Sequence, residues 1–206
     1  MVNGLFLLLF MYDCYNNSIE RGTLMNVWHM APKERIKPES FLACIEISKG
    51  SKNKYELEKQ TGTLILDRIL YTSTHYPQNY GFIPLTYAED LDPLDVLVLS
   101  SESIVPLALV ECYPIGVLEM IDGGYLDEKI IAVCKNDPIY NIYKDIRELP
   151  PHVSNEIRHF FRVYKQLENK KTIVNRMKGA KYAREVVAKC LKAYEDKFVE
   201  YEPFVY

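Results

Sequence analysis

Short apolar runs separated by polar turns occupy the chain from Phe41 to about residue 133. The runs are LACIEI (42–47), KYEL (54–57), LILDRI (64–69), VLVL (96–99), LALVEC (107–112), IGVLEM (115–120) and KIIAV (129–133). Short strands that recur about every ten residues are typical of an all-β sandwich or barrel. We therefore expect a β-rich core.

The hydrophobic period changes after the consecutive prolines at positions 150 and 151. Apolar residues then fall at helical spacing over 153–167 and, after Gly179, over 183–198. That spacing predicts two amphipathic helices, and proline is common in the first turn of a helix. The pattern as a whole predicts a β-barrel with two flanking C-terminal helices.

A continuous apolar run, LFLLLFMY (5–12), lies near the N-terminus. It is too short to span a bilayer. It also differs from a signal peptide, because no Lys or Arg precedes it and no cleavage site of small residues follows. We expect an N-terminal arm at 1–40, with residues 1–24 weakly ordered or an overextended start before Met25. A single domain at 41–198 and a tail at 199–206 complete the predicted organisation.

Charge and cysteine content narrow the classes of function. The chain has 25 Lys and Arg against 28 Asp and Glu, a net charge of −3, so it is not a globally basic nucleic-acid binder. Residues 1–140 carry a net charge of −8 and residues 141–206 carry +5. The five cysteines show neither C-x-x-C nor zinc spacing, and their odd number suits buried thiols in a reducing compartment.

The acidic stretch E-D-L-D-P-L-D (89–95) runs directly into the apolar strand VLVL. Side chains two apart in an extended chain point the same way, so Asp90 and Asp92 converge, and a turn at Pro93 lets Asp95 join them. All-oxygen ligand sets select hard cations, above all Mg²⁺ when phosphate oxygens complete the shell. A polar turn whose Asp side chains cap backbone amides explains the same residues. An EF-hand loop does not, because Asp95 and Ser101 occupy the positions of its Gly and Glu.

Two further segments between predicted strands carry reactive side chains. In M-I-D-G-G-Y-L-D-E-K (120–129), Asp127 and Lys129 lie on one side of an extended chain. They indicate either a metal and phosphate site or a surface salt bridge beside a Gly-Gly hairpin turn. The segment Y-P-Q-N-Y-G-F (76–82) predicts a rigid, compact loop, whose Tyr side chains either pack in the core or orient an oxyanion.

Together these segments resemble the soluble family I inorganic pyrophosphatases from Phe41 to Phe198. The resemblance rests on motifs that occur in the family's order: K-Y-E at 54–56, D-R at 67–68, Y-P-x-N-Y-G at 76–81, D-x-D-P-x-D at 90–95, D-x₄-D-x-K at 122–129 and Y-K at 164–165. The chain departs from the family at Leu91, which stands where Gly is usual, and near Met177, where Trp is common. The loop between Glu46 and Lys54 is also shorter than in the family.

The resemblance implies a mainly β (α+β) fold, with a five-stranded OB-like β-barrel and two flanking C-terminal helices. It implies Mg²⁺-dependent hydrolysis of pyrophosphate to two phosphates, with several ions per site. A metal-activated water attacks directly in line, with no covalent intermediate. It further implies a cytoplasmic homo-oligomer, a hexamer or a dimer, with no membrane or nucleic-acid partner.

The resemblance also implies roles for individual residues. Asp92 orients and deprotonates the attacking water. The implied metal ligands are Asp90, Asp95 and Asp127, with Asp122 and Glu46 for ions that arrive with substrate. The implied phosphate-binding residues are Lys54, Arg68, Tyr80, Lys129, Tyr164 and Lys165, with Glu56 supporting the basic residues around it.

Two alternatives use the same residues differently. A phosphomonoesterase would employ the carboxylates in the same way but needs room for an organic leaving group. An OB-type nucleic-acid binder would use the aromatic side chains and a basic groove, although the acidic segments would repel a phosphate backbone.

Overall fold

The β-rich pattern forms eight strands and three α-helices in the part of the chain that the computed structural model describes, residues 26–170 and 172–198. The strands are β1 (Phe41–Ile47), β2 (Asn53–Leu57), β3 (Leu64–Ile69), β4 (Asn79–Phe82), β5 (Asp95–Leu99), β6 (Leu109–Asp122), β7 (Tyr125–Cys134) and β8 (Thr172–Gly179). The helices are α1 (Val27–Met30), α2 (Pro151–Val163) and α3 (Ala180–Lys197).

Five of the strands form a ring. Strand β1 pairs with β4, β4 with β5, β5 with β7, β7 with β6, and β6 again with β1. The β5–β7 pairing is parallel and the other pairings in the ring are antiparallel. Strand β8 pairs with β6 outside the ring, and β2 and β3 form a separate hairpin. The predicted mainly β fold with C-terminal helices is confirmed, with this ring as its core.

Both faces of the ring strands are covered, which explains their uninterrupted apolar runs. Because side chains alternate across a strand, Val96 and Val98 of β5 lie in one hydrophobic cluster, and Leu97 and Leu99 lie in the other. Helix α3 packs in the first cluster and helix α2 in the second.

The two predicted helices are present, but the first is shorter than its apolar stripe. Helix α2 has Pro151 at its first position and ends at Val163. Leu167, the last member of the predicted stripe, is 64% exposed and lies in a 3₁₀ turn. Asn169 follows this turn in the left-handed conformation (φ 55°), which stops helical continuation.

Strand β4 replaces part of the loop predicted at 76–82. Its residues are buried because the strand pairs with β1 on one side and β5 on the other. Gly81 permits this close packing, since a Cβ there would lie 1.8 Å from the carbonyl oxygen of Cys44. Of the residues that indicated a loop, Pro77 precedes the strand, whereas Asn79 and Gly81 lie within it.

The predicted strands at 107–112 and 115–120 are one strand, β6. Its register against β7 shifts between Pro114 and Gly116, so a bulge carries the ladder past the proline. Leu107 precedes this strand, with a φ of 66°. The gap between the two apolar runs therefore marks a bulge and not a turn.

Strand β8 is absent from the sequence-based prediction. It lies at the sheet edge and pairs only with β6 in the described part of the sheet. No residue of β8 is fully buried. An edge strand of this kind needs no apolar run, which is the feature that revealed the central strands.

The predicted arm at 1–40 is described from residue 26 onward. Trp28 of α1 is 4% exposed and packs among the rings of Tyr87, Tyr194 and Phe198. Residues 1–25 and the tail at 199–206 lie outside the described residues, so the predicted domain boundaries stay a prediction. No helix in the described ranges is long and apolar enough to cross a membrane.

Candidate active site

All but one of the predicted site residues line a cavity of about 260 Å³. Strands β1, β2, β4, β5, β6 and β7, the loop before β5 and the end of α2 all contribute to it. The predicted residues in its lining are Glu46, Lys54, Glu56, Tyr80, Asp90, Asp92, Asp95, Asp122, Asp127, Lys129, Tyr164 and Lys165. Arg68 is the predicted residue that does not line it.

The loop between β4 and β5 places Asp90 and Asp92 at the cavity, and Asp95 follows as the first residue of β5. The backbone N–H of Asp92 donates to Oδ1 of Asp90 at 3.2 Å, and the N–H of Ala88 donates to the carbonyl oxygen of Asp92 at 2.8 Å. Leu91 has a φ of 70°, a conformation that Gly adopts without strain. The loop thus retains a Gly-like backbone at the position where the sequence departs from the family.

Lys129 of β7 contacts side chains of β5 and β4 at the centre of the site. Its Nζ donates to Asp95 Oδ2 at 2.6 Å, to Asp127 Oδ1 at 2.9 Å and to the hydroxyl of Tyr80 at 3.2 Å. Burial opposes its charge, but the carboxylates of Asp127 and Asp95 outweigh burial and raise the pKa of Lys129 well above its usual value. Lys129 is therefore a fixed cation within the acidic cluster.

The carboxylates around this lysine are crowded. Burial, followed by repulsion from Asp95, raises the pKa of Glu46 to about 8 and that of Asp90 to about 6. The same two causes raise the pKa of Asp127, against the attraction of Lys129. Glu46 is also held in place, because its Oε1 accepts the N–H of Leu57 at 2.7 Å. Burial and mutual repulsion thus favour the protonated form of these carboxyl groups when no cation is bound.

Two buried tyrosines supply hydroxyl groups. Tyr80 donates to Asp95, and Tyr164 is 4% exposed at the end of α2. Burial raises the pKa of both phenols, so both remain protonated at neutral pH. They can act as hydrogen-bond donors to an anion.

The remaining lysines of the site pair with carboxylates. Lys54 pairs with Glu56 and lies 3.4 Å from Asp67, and burial lowers the pKa of Lys54. Lys165 pairs with Asp122. Each ammonium group is thus placed beside the acidic cluster, where a phosphate group could also contact it.

Sequence reasoning missed Lys59 and Trp28, which both line the cavity. Lys59 pairs with Asp92, and its Nζ lies 5.7 Å from the centre of the Trp28 ring. Lys59 lies beyond the end of β2, and Trp28 lies before the segment that resembles the family. No local pattern indicates contacts that join parts of the chain so far apart.

Arg68 is adjacent to the cavity but is held away from it. It is opposite Lys54 in the β2–β3 hairpin. Its guanidinium pairs with Asp67 and, through Nε, with Glu168 Oε1 at 3.0 Å. Its Nη2 is buried and has no hydrogen-bond partner among the described residues. Glu168 comes from the 3₁₀ turn after α2 and lies just beyond the helix predicted at 153–167.

Comparison with known proteins decides the family. The family model for inorganic pyrophosphatase matches residues 43–195. The chain belongs to the inorganic pyrophosphatase family. It is 48% identical over 183 residues to soluble inorganic pyrophosphatase 2 of Chlamydomonas reinhardtii, which covers 88% of this chain and 95% of the relative. It is 52% identical over 155 residues to soluble inorganic pyrophosphatase PPA1 of Solanum tuberosum, covering 75% of this chain and 74% of that protein.

Solved structures of inorganic pyrophosphatases share the fold. The enzyme of Thermus thermophilus matches with a TM-score of 0.79 and 39% identity, over 82% of this chain and 99% of that chain. The enzyme of Helicobacter pylori matches with a TM-score of 0.75 and 43% identity, over 78% of this chain and 96% of that chain. The predicted family resemblance is confirmed.

Proposed function

We propose that this protein hydrolyses inorganic pyrophosphate to two phosphates with Mg²⁺, through direct in-line attack by water. The observation that carries the proposal is the charge of the cavity. Seven carboxylates and four lysines line it: Glu46, Glu56, Asp90, Asp92, Asp95, Asp122 and Asp127 with Lys54, Lys59, Lys129 and Lys165. An anionic substrate cannot enter this excess of negative charge unless cations accompany it.

The donor set fits hard divalent cations. The acidic side chains offer only oxygen ligands. Burial and repulsion from Asp95 raise the pKa values of Glu46 and Asp90, and a bound cation would offset that repulsion. We assign Asp90, Asp95 and Asp127 to the principal metal sites, and Asp122 and Glu46 to ions that arrive with substrate. When bound, the cations neutralise pyrophosphate and lower the pKa of the attacking water.

Asp92 is the proposed general base. Its side chain is half exposed and pairs with Lys59, whereas Asp95 is fixed by Lys129. A half-exposed carboxylate at the edge of the site can accept the proton of the attacking water. Exchange of the Lys59 contact for a water contact requires only side-chain motion of two exposed groups.

Positively charged side chains bind the phosphate groups of the substrate. Lys54, Lys129 and Lys165 already bind carboxylate oxygens. Phosphate oxygens are acceptors of the same kind, and Tyr80 and Tyr164 add hydroxyl donors. The Nη2 of Arg68, for which the described residues offer no hydrogen-bond partner, turns toward the substrate. Glu56 orients Lys54. Phosphoryl transfer depends mainly on such positioning and charge stabilisation.

A covalent intermediate on a Ser or Thr hydroxyl, a thiol or an imidazole is not needed, and the phenols of Tyr80 and Tyr164 stay protonated because burial raises their pKa. Of the described residues that line the cavity, none is Ser, Thr, Cys or His. This supports water as the nucleophile.

We also propose that the protein is cytoplasmic and forms a homo-oligomer, either a hexamer or a dimer. Sedimentation velocity would test the oligomeric state.

A phosphate-release assay distinguishes the proposed function from its alternatives. We expect turnover of Mg-pyrophosphate and little release of p-nitrophenol from p-nitrophenyl phosphate. The converse result would favour a phosphomonoesterase. Retention of single-stranded oligonucleotides in a filter-binding assay, without pyrophosphate turnover, would instead favour a nucleic-acid binder.

A further inference from the structure

Two cysteines face each other across neighbouring strands of the ring. Cys112 of β6 is directly opposite Cys134, the last residue of β7. One residue outside the pair, the N–H of Lys135 donates to the carbonyl oxygen of Glu111 at 2.9 Å. That bond identifies the cysteine pair as a non-hydrogen-bonded pair of the antiparallel ladder, in which opposed Cα atoms are about 4.5 Å apart. Disulfides span Cα separations of about 4.4–6.8 Å.

Both thiols also point to the same side of the sheet. Cys112 belongs to the hydrophobic cluster that contains α3, and Cys134 packs against that cluster. Side chains at non-hydrogen-bonded positions approach each other most closely of all cross-strand pairs. The ion pair between Lys135 Nζ and Glu111 Oε1, at 2.6 Å, holds the two strand ends together beside the cysteines.

The register singles out this pair from the other described cysteines. Cys44 of β1 is opposite Phe82 on one side and Leu109 on the other. Cys190 lies on helix α3. All four described cysteines are free thiols in this structure. Of these four cysteines, only Cys112 and Cys134 are directly opposite each other on neighbouring strands.

We propose that Cys112 and Cys134 form an oxidation site, at which a low-molecular-weight disulfide such as oxidised glutathione converts them to an intramolecular disulfide. This proposal is independent of the proposed hydrolysis. Cys112 is fully buried, whereas Cys134 is partly exposed. Burial raises the pKa of Cys112 well above its usual value, so the first attack on the oxidant falls to Cys134.

The reaction balances as two thiol–disulfide exchanges. The Cys134 thiolate attacks one sulfur of oxidised glutathione, forms a mixed disulfide and releases one glutathione. Cys112 then loses its proton, attacks Cys134 Sγ and releases the second glutathione. Two protein thiols lose two electrons and two protons, and the oxidant becomes two glutathione thiols.

Peptide mapping tests the bond directly. The test uses the folded full-length protein with Cys14→Ser, which excludes linkage through that residue. This protein is incubated with excess oxidised glutathione, alkylated and digested with trypsin without reduction. Peptides 69–129 and 130–135 contain one cysteine each, Cys112 and Cys134. We expect to find the two peptides as one disulfide-linked species that dithiothreitol separates.

The melting temperature provides a second measurement. The disulfide closes a loop of more than 20 residues, so oxidation should raise the melting temperature by roughly 5–10 °C.

Matched variants complete the test. Cys134→Ser, at a partly exposed position, should fold and lose both the linked species and the thermal shift. Cys190→Ser should keep both. The proposal is overturned if the native protein yields the two peptides unlinked, each as a thiol or a glutathione adduct, or if they link only after denaturation.

Discussion

Asp92 and Asp95 are close in the sequence but have different partners, which separates their proposed roles. Asp95 is bound by Lys129 and Tyr80 in the interior of the site, whereas Asp92 contacts an exposed lysine at its edge. Asp92→Asn keeps the size of the side chain but removes its basicity. We expect it to lower kcat by about 10²–10⁴-fold, the usual worth of a positioned general base. The Mg²⁺ concentration for half-maximal activity should change little.

Asp95→Asn is the matched comparison. It should weaken metal binding, so that raised Mg²⁺ restores part of the lost rate. Steady-state kinetics across a Mg²⁺ titration measures both variants. The assignment is wrong if excess Mg²⁺ restores Asp92→Asn while Asp95→Asn saturates normally with metal and stays slow.

Glu46 makes the stability of the metal-free protein depend on pH. Its pKa is about 8 in the folded protein, above its ordinary value near 4.5. Between these values the folded state binds more protons than the unfolded state, so the free energy of unfolding falls as pH rises. In EDTA, denaturant unfolding should show stability declining from pH 5 to pH 8. Glu46→Gln should flatten this decline.

Mg²⁺ provides the control for that measurement. A cation that neutralises the acidic cluster should stabilise the wild-type protein more at pH 8 than at pH 5. Equal pH slopes for wild type and Glu46→Gln would show that the pKa of Glu46 is not raised in the folded protein.

At the level of single residues, motif order in the sequence identified most of the cavity lining. Motifs predict which side chains occur together, but not which of them pair. Arg68 is held by Glu168, 100 positions further along the chain, and Lys59 reaches Asp92 across 33 positions. These contacts depend on how the hairpin and the helix end dock against the ring.

At the level of elements, periodicity predicted the buried strands and both long helices. Periodicity did not identify strands that are defined by hydrogen-bonded pairing with a neighbouring strand and show no apolar pattern of their own. Strand β4 is short and rich in turn-forming residues, yet it has a neighbour on each side. Strand β8 lies at an edge and needs no apolar run. The bulge at Pro114 divided one strand into two in the sequence but not in the fold.

Helix α1 is the element at which the N-terminal segment contacts the site and the core. Trp28 is 4% exposed, and its Nε1 donates to the carbonyl oxygen of Thr86 at 2.9 Å. A chain that begins at Met25 retains these contacts, and we expect it to keep both fold and activity. Thermal unfolding and phosphate release measure the two properties.

A chain that begins at Pro32 is the control. It removes a buried Trp, and loss of a large buried aromatic side chain costs about 3–5 kcal/mol. We expect a lower melting temperature for this truncation alone. Loss of soluble protein on truncation at Met25 would show instead that residues 1–24 are structural.

At the scale of the whole molecule, the ring brings carboxylates from several strands to one cavity. Side chains separated by more than 80 positions, from Glu46 to Asp127, share its lining. Their combined charge is the basis of the proposed catalysis, because neither pyrophosphate nor the acidic cluster is neutral without cations. Metal dependence is therefore the property that the account requires of the molecule.

The most direct test is phosphate release from pyrophosphate with the divalent cation as the variable. We expect Mg²⁺ to support turnover and EDTA to abolish it. Ca²⁺ should bind and inhibit, because its longer bonds and looser geometry activate water poorly. Full activity in EDTA, or Ca²⁺ that matches Mg²⁺, would contradict the account.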